Sequence, residues 1–515
     1  MKFALLSVFD KTGIVNLGKI LDQLNYKIIS TGGTAKTLTD AGLKVIPIQG
    51  ITGNPESFEG RMKTISFQIE SGILFDRKKS SHVKEAKRLG IKPIDIVICN
   101  LYPFEQTIRK RNTAFNEAIE QIDVGGPTMV RSAAKNHQNV LVITDPSDYD
   151  KISNALKKNK ITQKLRQELA AKAFYHLSFY DSQVAKFLNK EKFPQECTVP
   201  GRLNFKLRYG ENPHQEGAVY YEPNTDSPLA NLKLLAGKQG SATNITDIVA
   251  GLESVRCFKK PCAVVIKHNS PCGIAIGKNI KQALERAVEA DPLSAFGGII
   301  VLNSPLDLET AKRFAKFKEN KVQVDVIAAP KISNNAVEFL RTVRKSTGLY
   351  SFGKIPSRRK NKQQIKFFYG GFILQDWDDT DAYKTYKKWR IQGLKPTKKQ
   401  LELMKFGWKV IGRVKSNTIL VIDSKIPMTR GIGSGQTSRI GSCEIALEHA
   451  GKYAKGGILV SDSFFPFDDC VKLAAKHKIG AILQQGGSVN DKASIEAAKR
   501  AKIPMVLTGE RKFWH

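Results

Sequence analysis

The sequence predicts an α/β protein: a doubly wound parallel sheet in the first part of the chain, then a larger α/β region. Short β-branched apolar runs recur along the chain, many ending in a small or polar residue. Each is followed by a glycine- or serine-containing loop and then by apolar residues at helical spacing, which is the strand, loop and helix unit of a parallel sheet. A chain of 515 residues with 41% hydrophobic and 8% aromatic content also has apolar surface for several cores, roughly three or four units of ordinary domain size.

Taken in order, Phe3 to Val8 reads as a strand, and Ser7-Val8-Phe9-Asp10-Lys11-Thr12-Gly13 turns from it into a helix running to Leu24. The pattern repeats with a strand from Tyr26 to Ser30, the turn Thr31-Gly32-Gly33-Thr34 and a helix through Ala41. Such loops present backbone N–H groups to anions at a helix N-terminus. Gly60-Arg61-Met62-Lys63-Thr64 adds two cations and a hydroxyl. Asp95 to Phe104 is a buried strand that delivers Asn100 and Tyr102 at its carboxyl end, where open α/β sheets bind ligands. Asp123 stands before the Gly125-Gly126 turn, and the next helix carries Lys135-Asn136-His137 into a strand from Val140 to Thr144. An isolated Asp-Gly-Gly is usually only a turn, but here it follows three other loops able to converge on one phosphorylated ligand. Helical periodicity then runs from Tyr149 to about Lys190. Lys192-Phe193-Pro194 and Val199-Pro200-Gly201 read as a linker, which divides the chain into domains 1–199 and 200–515.

The second region opens with the polar string Leu207 to Gln215, in which Arg208 is suited to grip a phosphate with two parallel hydrogen bonds. Val264 to Gly273 is an apolar strand that ends in Lys267 and His268 and then a Pro/Gly turn. A fixed positive charge beside a group that takes a proton near neutral pH is suited to acid–base chemistry. Alone, such a pair is more often a solvated strand end. A helix from Ile280 to Ala290 leads into Asp291-Pro292-Leu293-Ser294-Ala295-Phe296-Gly297-Gly298, and Val324 to Ala329, with Asp325, forms another strand. A sheet-like stretch starts at Phe367, and helix resumes near Thr397. Val414-Lys415-Ser416-Asn417 precedes a strand. Gly431-Ile432-Gly433-Ser434-Gly435 reads as a loop opening a helix at Arg439, with no acidic ribose partner about twenty residues on. Ser461 to Phe467 and Gln485 to Ser488 repeat the same grammar, and Thr508 to His515 is a plain tail unless a site holds it.

Composition narrows the function. Seven scattered cysteines lack CxxC spacing or a neighbouring histidine pattern, so reduced packing thiols and no catalytic metal are expected. No run approaches the roughly 20 apolar residues that cross a bilayer, and the opening residues pass straight into a strand pattern, so a cytoplasmic enzyme without membrane association is expected. The formal net charge of +34 is spread through the chain. It reads as a lysine-rich surface rather than a nucleic-acid site, for which Arg358 to Lys362 is the one candidate segment.

Four ordered motifs, LRYGENPHQ (Leu207 to Gln215), KHNSPCG (Lys267 to Gly273), DPLSAFGG (Asp291 to Gly298) and SDSFFPF (Ser461 to Phe467), make the chain resemble the bifunctional purine-biosynthesis family that joins an AICAR formyltransferase to an IMP cyclohydrolase. The correspondence runs from Ser7 to His515. It implies a methylglyoxal-synthase-like cyclohydrolase domain and a transferase domain of cytidine-deaminase-like repeats broken near 350–370. The implied reactions are formyl transfer from 10-formyltetrahydrofolate to AICAR, giving formyl-AICAR, and dehydrative closure of that product to IMP. For the transfer, the resemblance implies His268 as base, Lys267 as charge stabiliser and Asn417 near the formyl group. Arg208, Tyr209, Asn244, Arg439, Phe464, Arg511 and Phe513 would surround the nucleotide, with Phe296, Gly297 and Asp325 on the folate side. For ring closure it implies Lys63, Tyr102, Asp123 and Lys135. Ser7, Lys11, Ser30, Thr31, Gly32, Thr34, Arg61, Thr64 and Asn100 would hold the nucleotide there. A homodimer is expected, because the family's transferase site is shared between two subunits.

The chain departs from the family pattern mainly in its first domain. The family usually continues Leu-His-Pro after the Arg-x-Lys-Thr loop, with another histidine three residues later, whereas this chain has Ile65-Ser66-Phe67 and Glu70; Phe9 replaces a small residue. Lys512 and Trp514 also differ from the usual His and Arg near the C-terminus. Two alternatives to the bifunctional enzyme therefore stand: a formyltransferase with a silent first domain, and a basic nucleic-acid-binding protein on the same scaffold.

Overall fold

The computed structural model describes residues 1–110, 113–356, 363–379 and 386–515, and the chain divides into two compact units, Met1–Gly201 and Arg202–His515. The candidate basic segment Arg358 to Lys362 lies outside the described residues.

The first unit is built on five parallel strands in the order Val45–Pro47, Tyr26–Ser30, Lys2–Val8, Ile96–Asn100 and Leu141–Ile143. Phe3 to Leu6 and Ile96 to Cys99 are buried residue after residue. Successive strand side chains point to opposite faces, so both faces are covered, which is why these strands read as continuous apolar runs. The strand order reverses between Lys2–Val8 and Ile96–Asn100, where Val8 lies level with Asn100. A crevice therefore opens at these two carboxyl ends. The helical stretch expected from Tyr149 to Lys190 is two helices, Tyr149–Lys157 and Gln163–Leu188. Asn159 at φ 49° breaks them, and the Thr162 hydroxyl caps the second by accepting from the Leu165 N–H at 3.1 Å.

The second unit contains two six-stranded mixed sheets with one plan. In the first, the order is Ser270–Ile276, Cys262–Lys267, Gly298–Leu302, Val324–Ala329, Gly348–Ser351 and Lys233–Ala236; in the second it is Thr429–Gly433, Ile419–Ile422, Ile458–Ser461, Ala481–Gln484, Met505–Leu507 and Arg390–Gln392. Each has an antiparallel hairpin, three strands parallel to one another and an antiparallel edge strand that comes first in sequence. The two hairpins meet edge to edge. Ala275 bridges Met428, the Ile276 N–H donates to Pro427 O at 3.0 Å, and the Ile274 N–H donates to Thr429 Oγ1 at 3.1 Å. Ile266, Val301, Trp408, Val460 and Leu483 belong to one continuous core across both sheets.

Three local expectations are corrected. The turn after Lys267 is made by His268 and Asn269 themselves, both at positive φ (55° and 61°), with Ser270 opposite Lys267. This is the two-residue hairpin geometry that matches strand twist, and Pro271 and Gly273 lie in the returning strand around a bulge. Gly431 and Gly433 are also strand residues. A Cβ on either would fall 1.9 Å from Ala446 O or Ser442 O, so these glycines let the helix Arg439–Ala450 approach and do not cradle a ligand. The stretch opening at Phe367 is an isolated hairpin, Gln363–Phe368 with Gly371–Asp376, outside both large sheets.

Candidate functional sites

In the first unit the crevice gathers most of the expected residues. Helix Gly32–Asp40 begins beside it with no side-chain cap on its first amides, and Lys11 stands over its first turn, its Nζ 3.7 Å from where a Gly33 Cβ would be. Uncapped N–H groups with an ammonium beside them make an anion site. Thr31 is the buried residue preceding the helix, and Ser7 is half-buried at the end of the central strand. Other hydroxyls are committed to the scaffold. Ser30 Oγ donates to Leu6 O at 2.6 Å, and Thr34 Oγ1 accepts from the Val8 N–H at 3.0 Å and donates to Val8 O at 2.9 Å. Asn100 is committed in the same way: its Oδ1 accepts from the Phe9 and Asp10 N–H groups at 2.6 and 2.9 Å, and its Nδ2 donates to Asp10 O. Thr34 and Asn100 thereby fix the start of the loop that carries Lys11.

Lys63, Tyr102 and Asp123 come together. The Gly126 N–H donates to Asp123 Oδ1 at 2.8 Å. Burial pushes the Asp123 carboxyl above the usual carboxylate range, against the Gly126 and Tyr102 N–H groups and the Lys63 ammonium. Thr64 packs on Gly125, where a Cβ would fall 2.2 Å from its hydroxyl, and Arg61 pairs with Glu120. Phe9 packs edge-on against Tyr102 at 5.7 Å, and Ser66 caps the helix Phe67–Leu74 by accepting from the Ile69 N–H. Lys135 is not drawn into this group. It is exposed at the far end of the helix Gly125–Lys135, about 15 Å from Asp123's end at 1.5 Å per residue.

In the second unit, His268 projects from its left-handed turn and is exposed. Non-glycine residues held at positive φ cost energy and persist where the surroundings fix them. Here the fixing group is Asp247, on the helix Ala242–Val255, which accepts from the Asn269 N–H at 2.6 Å. Burial raises the Asp247 carboxyl, opposed by the Asn269 and His268 N–H groups and by the imidazole. Lys267 Nζ donates to Phe296 O at 2.8 Å. Asp325, raised by burial, is held down by a bond from Gln323 and by the charges of Lys267, Arg208 and Lys238, so Lys267, Arg208, Phe296 and Asp325 form one cluster. Gly297 has φ 73° and open space at its Cβ position. Arg208 stacks on Tyr209 at 4.7 Å and donates to its hydroxyl. Asn244 is the third residue of a capping box with Ser241, so its Oδ1 is used by the helix start.

A second cluster centres on Asp462, fully buried. Its carboxylate accepts from Arg439, from Ser416 Oγ at 2.6 Å and from the Thr418 N–H at 3.0 Å. Arg439 Nη2 then donates to Asn417 Oδ1 at 2.8 Å, while Asn417 Nδ2 donates to Gln436 O and Thr437 O. The C-terminal residues are not frayed: the Lys512 N–H donates to Asp462 O, and the Ser416 N–H donates to Trp514 O. Arg511 stacks on Phe513 at 4.5 Å, and Phe464 is partly exposed beside Asp462 in sequence.

The two clusters are joined along the hairpin seam, and a cavity of about 560 Å³ lies beside chain neighbours of several of their residues. The Ser270 and Ser434 hydroxyls stand 3.4 Å apart along the seam. Leu207, Asn269, Lys415, Trp514 and His515 line the cavity, each one or two residues from Arg208, His268, Asn417 or Phe513, which are not themselves among its lining.

Comparison with known proteins shows the family of the chain. A family profile described as AICARFT/IMPCHase bienzyme matches residues 133–449, and one described as MGS-like domain matches residues 13–128. The chain belongs to the AICARFT/IMPCHase bienzyme family. It is 43% identical to a bifunctional purine biosynthesis protein PurH of Acetivibrio thermocellus, the match covering 100% of each chain. It is 42% identical to proteins of the same name from Prochlorococcus marinus and Halalkalibacterium halodurans, over 99% of both chains. The chain is therefore an enzyme of the last two steps of purine synthesis, an AICAR formyltransferase and IMP cyclohydrolase that uses a folate co-substrate.

Within this bienzyme fold, sequence reasoning missed the buried carboxylates Asp247 and Asp462, which position His268 and Asn417. Asp462 lay inside a quoted motif. Asp247 carried a weaker signal, as an acid on the apolar face of an amphipathic helix.

Proposed function

We propose that residues 1–199 close the ring and residues 200–515 transfer the formyl group, with 10-formyltetrahydrofolate as donor. The observation that supports the assignment is the His268 turn held by Asp247, with the neighbouring Lys267 bonded to Phe296 O beside Asp325 and Arg208.

In the transfer, the AICAR amine is conjugated with its ring and attacks the formyl carbon poorly until a base takes its proton. His268, exposed on a fixed turn, is that base. Lys267, held by Phe296 O beside Asp325, stabilises the developing negative charge and protonates the departing folate nitrogen. Asn417 has both amide hydrogens engaged and one lone pair on Oδ1 to spare, so it accepts from a substrate N–H. Arg208 and Arg511 take the phosphate, each held flat against an aromatic ring.

In ring closure, the carboxamide nitrogen attacks the formyl carbon and water leaves. Asp123, with its raised proton affinity, takes the amide proton, while Lys63 and the Tyr102 phenol stabilise the tetrahedral oxyanion. Lys11 and the first amides of helix Gly32–Asp40 bind the phosphate.

Incubating the full chain with AICAR and 10-formyltetrahydrofolate should release tetrahydrofolate and IMP together. Tetrahydrofolate with formyl-AICAR accumulating would overturn the ring-closure half, and neither product would overturn the whole reading. The working protein is proposed to be a cytoplasmic homodimer, which light scattering would detect as twice 57.2 kDa.

A further inference from the structure

We propose that the segment Trp377-Asp378 is a clamp on the C-terminal residues, and that both of its side chains are positioning residues of formyl transfer. The inference rests on the reading of Arg511 as a phosphate ligand and extends it to the residues that hold Arg511 in place. Contacts alternate along the C-terminal segment. Arg511 stacks on Phe513 at 4.5 Å, and Phe513 packs edge-on against His515 at 5.7 Å. The intervening residues contact the clamp. Lys512 Nζ donates to both Asp378 carboxylate oxygens at 2.9 Å, and the Trp514 ring stacks on Trp377 at 6.3 Å with 18° between their planes. Lys512 and Trp514 are also the two positions at which this segment departs from the family pattern.

The clamp is itself anchored. It follows the hairpin strand Gly371–Asp376, and the next residue, Asp379, pairs with Arg256 and Arg413 at 3.3 and 3.4 Å. Arg413 also donates to Asp378 O at 3.4 Å and stands 5.4 Å from the Trp514 ring. Two backbone bonds, from the Lys512 N–H to Asp462 O and from the Ser416 N–H to Trp514 O, fix the path of the C-terminal segment. The clamp fixes its rotation, and so the direction in which Arg511 and Phe513 turn. Lys512 is only 8% exposed, and removing Asp378 takes two hydrogen bonds from its ammonium. A buried charge that loses partners costs free energy, and turning toward water recovers part of it. Arg511 and Phe513 lie one residue to either side, so they turn with it. The clamp therefore sets the fraction of molecules in which Arg511 is placed for the phosphate. Apparent affinity falls with that fraction, whereas a saturating nucleotide restores the placement and leaves the chemical step unchanged.

The test measures formyl transfer by the full chain, with KM for AICAR, KM for 10-formyltetrahydrofolate and kcat taken separately. Asp378→Ala should raise the AICAR KM roughly tenfold, the worth of one charge-assisted hydrogen bond, and leave kcat and the folate KM within about twofold of wild type. Adding Lys512→Met should recover most of that loss, because the underpaired ammonium is then gone. Trp377→Leu should raise the AICAR KM by about twofold to tenfold, the worth of one aromatic pair. An unchanged AICAR KM in Asp378→Ala would overturn the proposal. So would a loss shared equally by kcat and both KM values, as a merely structural role would give, or one that Lys512→Met does not relieve. Arg511→Ala separates the two readings: if it raises the AICAR KM while Asp378→Ala does not, the clamp alone fails. An unchanged AICAR KM in Arg511→Ala would overturn the phosphate reading and the clamp with it.

Discussion

The two units hold their site residues by different means. In the second unit two expected polar groups, Arg439 and Asn417, are bound to each other, and Arg439 is bound also to Asp462 and Ser461, with Asp462 holding Ser416. In the first unit three expected groups are bound to backbone: Ser30 to Leu6, Thr34 to Val8, and Asn100 to the loop at Phe9 and Asp10. A network of charges loses much when one member goes, because the others are left buried and unpaired. A hydroxyl that closes a strand end loses about one hydrogen bond. Site residues of the first unit should therefore tolerate change better in stability than those of the second.

The sharpest division is in activity. His268→Ala should lower formyl transfer by about 100- to 10,000-fold, the usual worth of a positioned base, and leave closure of supplied formyl-AICAR intact. Lys63→Ala should do the reverse. Separate assays of the two half-reactions check this, and one substitution abolishing both would break the comparison. Next in size is Asp462→Ala, which strands the Arg439 guanidinium in a buried site. Removing one partner of a buried pair costs about 3–5 kcal/mol, and urea unfolding followed through formyl transfer should register it. Smaller again is Thr34→Val, which leaves the Val8 N–H and C=O without their side-chain partner. About 1–3 kcal/mol is expected, read as a lower urea midpoint for ring closure.

What was legible in the sequence follows the same line. The parallel sheet of the first unit could be read because its strands carry consecutive buried apolar residues, as in Phe3 to Leu6 and Ile96 to Cys99, and because the first two strands end in glycine-containing loops. The shared plan of the two sheets in the second unit could not. An apolar run such as Val324 to Ala329 shows that a strand exists but not its direction or neighbour, and the edge meeting of Ala275 with Met428 depends on pairings 153 residues apart. The Lys267-His268 pair was visible, yet its turn was placed too late, because Pro271 and Gly273 are stronger turn signals than a histidine at positive φ. Ser30, Thr34 and Asn100 were found by residue type. Their commitment to the scaffold shows only in the fold, since a hydroxyl facing a ligand and one facing a strand end look alike in sequence.

The smallest effect belongs to one surface ion pair of the first unit, and it sets the lower end of the comparison. Lys172 Nζ stands 2.7 Å from Asp145 and 2.8 Å from Asp148. Burial pushes the Asp145 carboxyl up, but the bonds from Lys172 and Ser147 outweigh it and hold its pKa at about 2. A folded value below the unfolded one, about 3.9, gives stability that is present above about pH 4 and lost as pH falls toward 2. The full shift would correspond to about 2.6 kcal/mol, but both side chains are about 40% exposed, and solvent screening brings the expected contribution below about 1 kcal/mol. Lys172→Met should therefore lower the ring-closure urea midpoint at pH 7 only slightly and flatten its decline between pH 4 and 2. A loss as large as that of Asp462→Ala would mean that the first unit also depends on a charge network, and the contrast between the units would have to be given up.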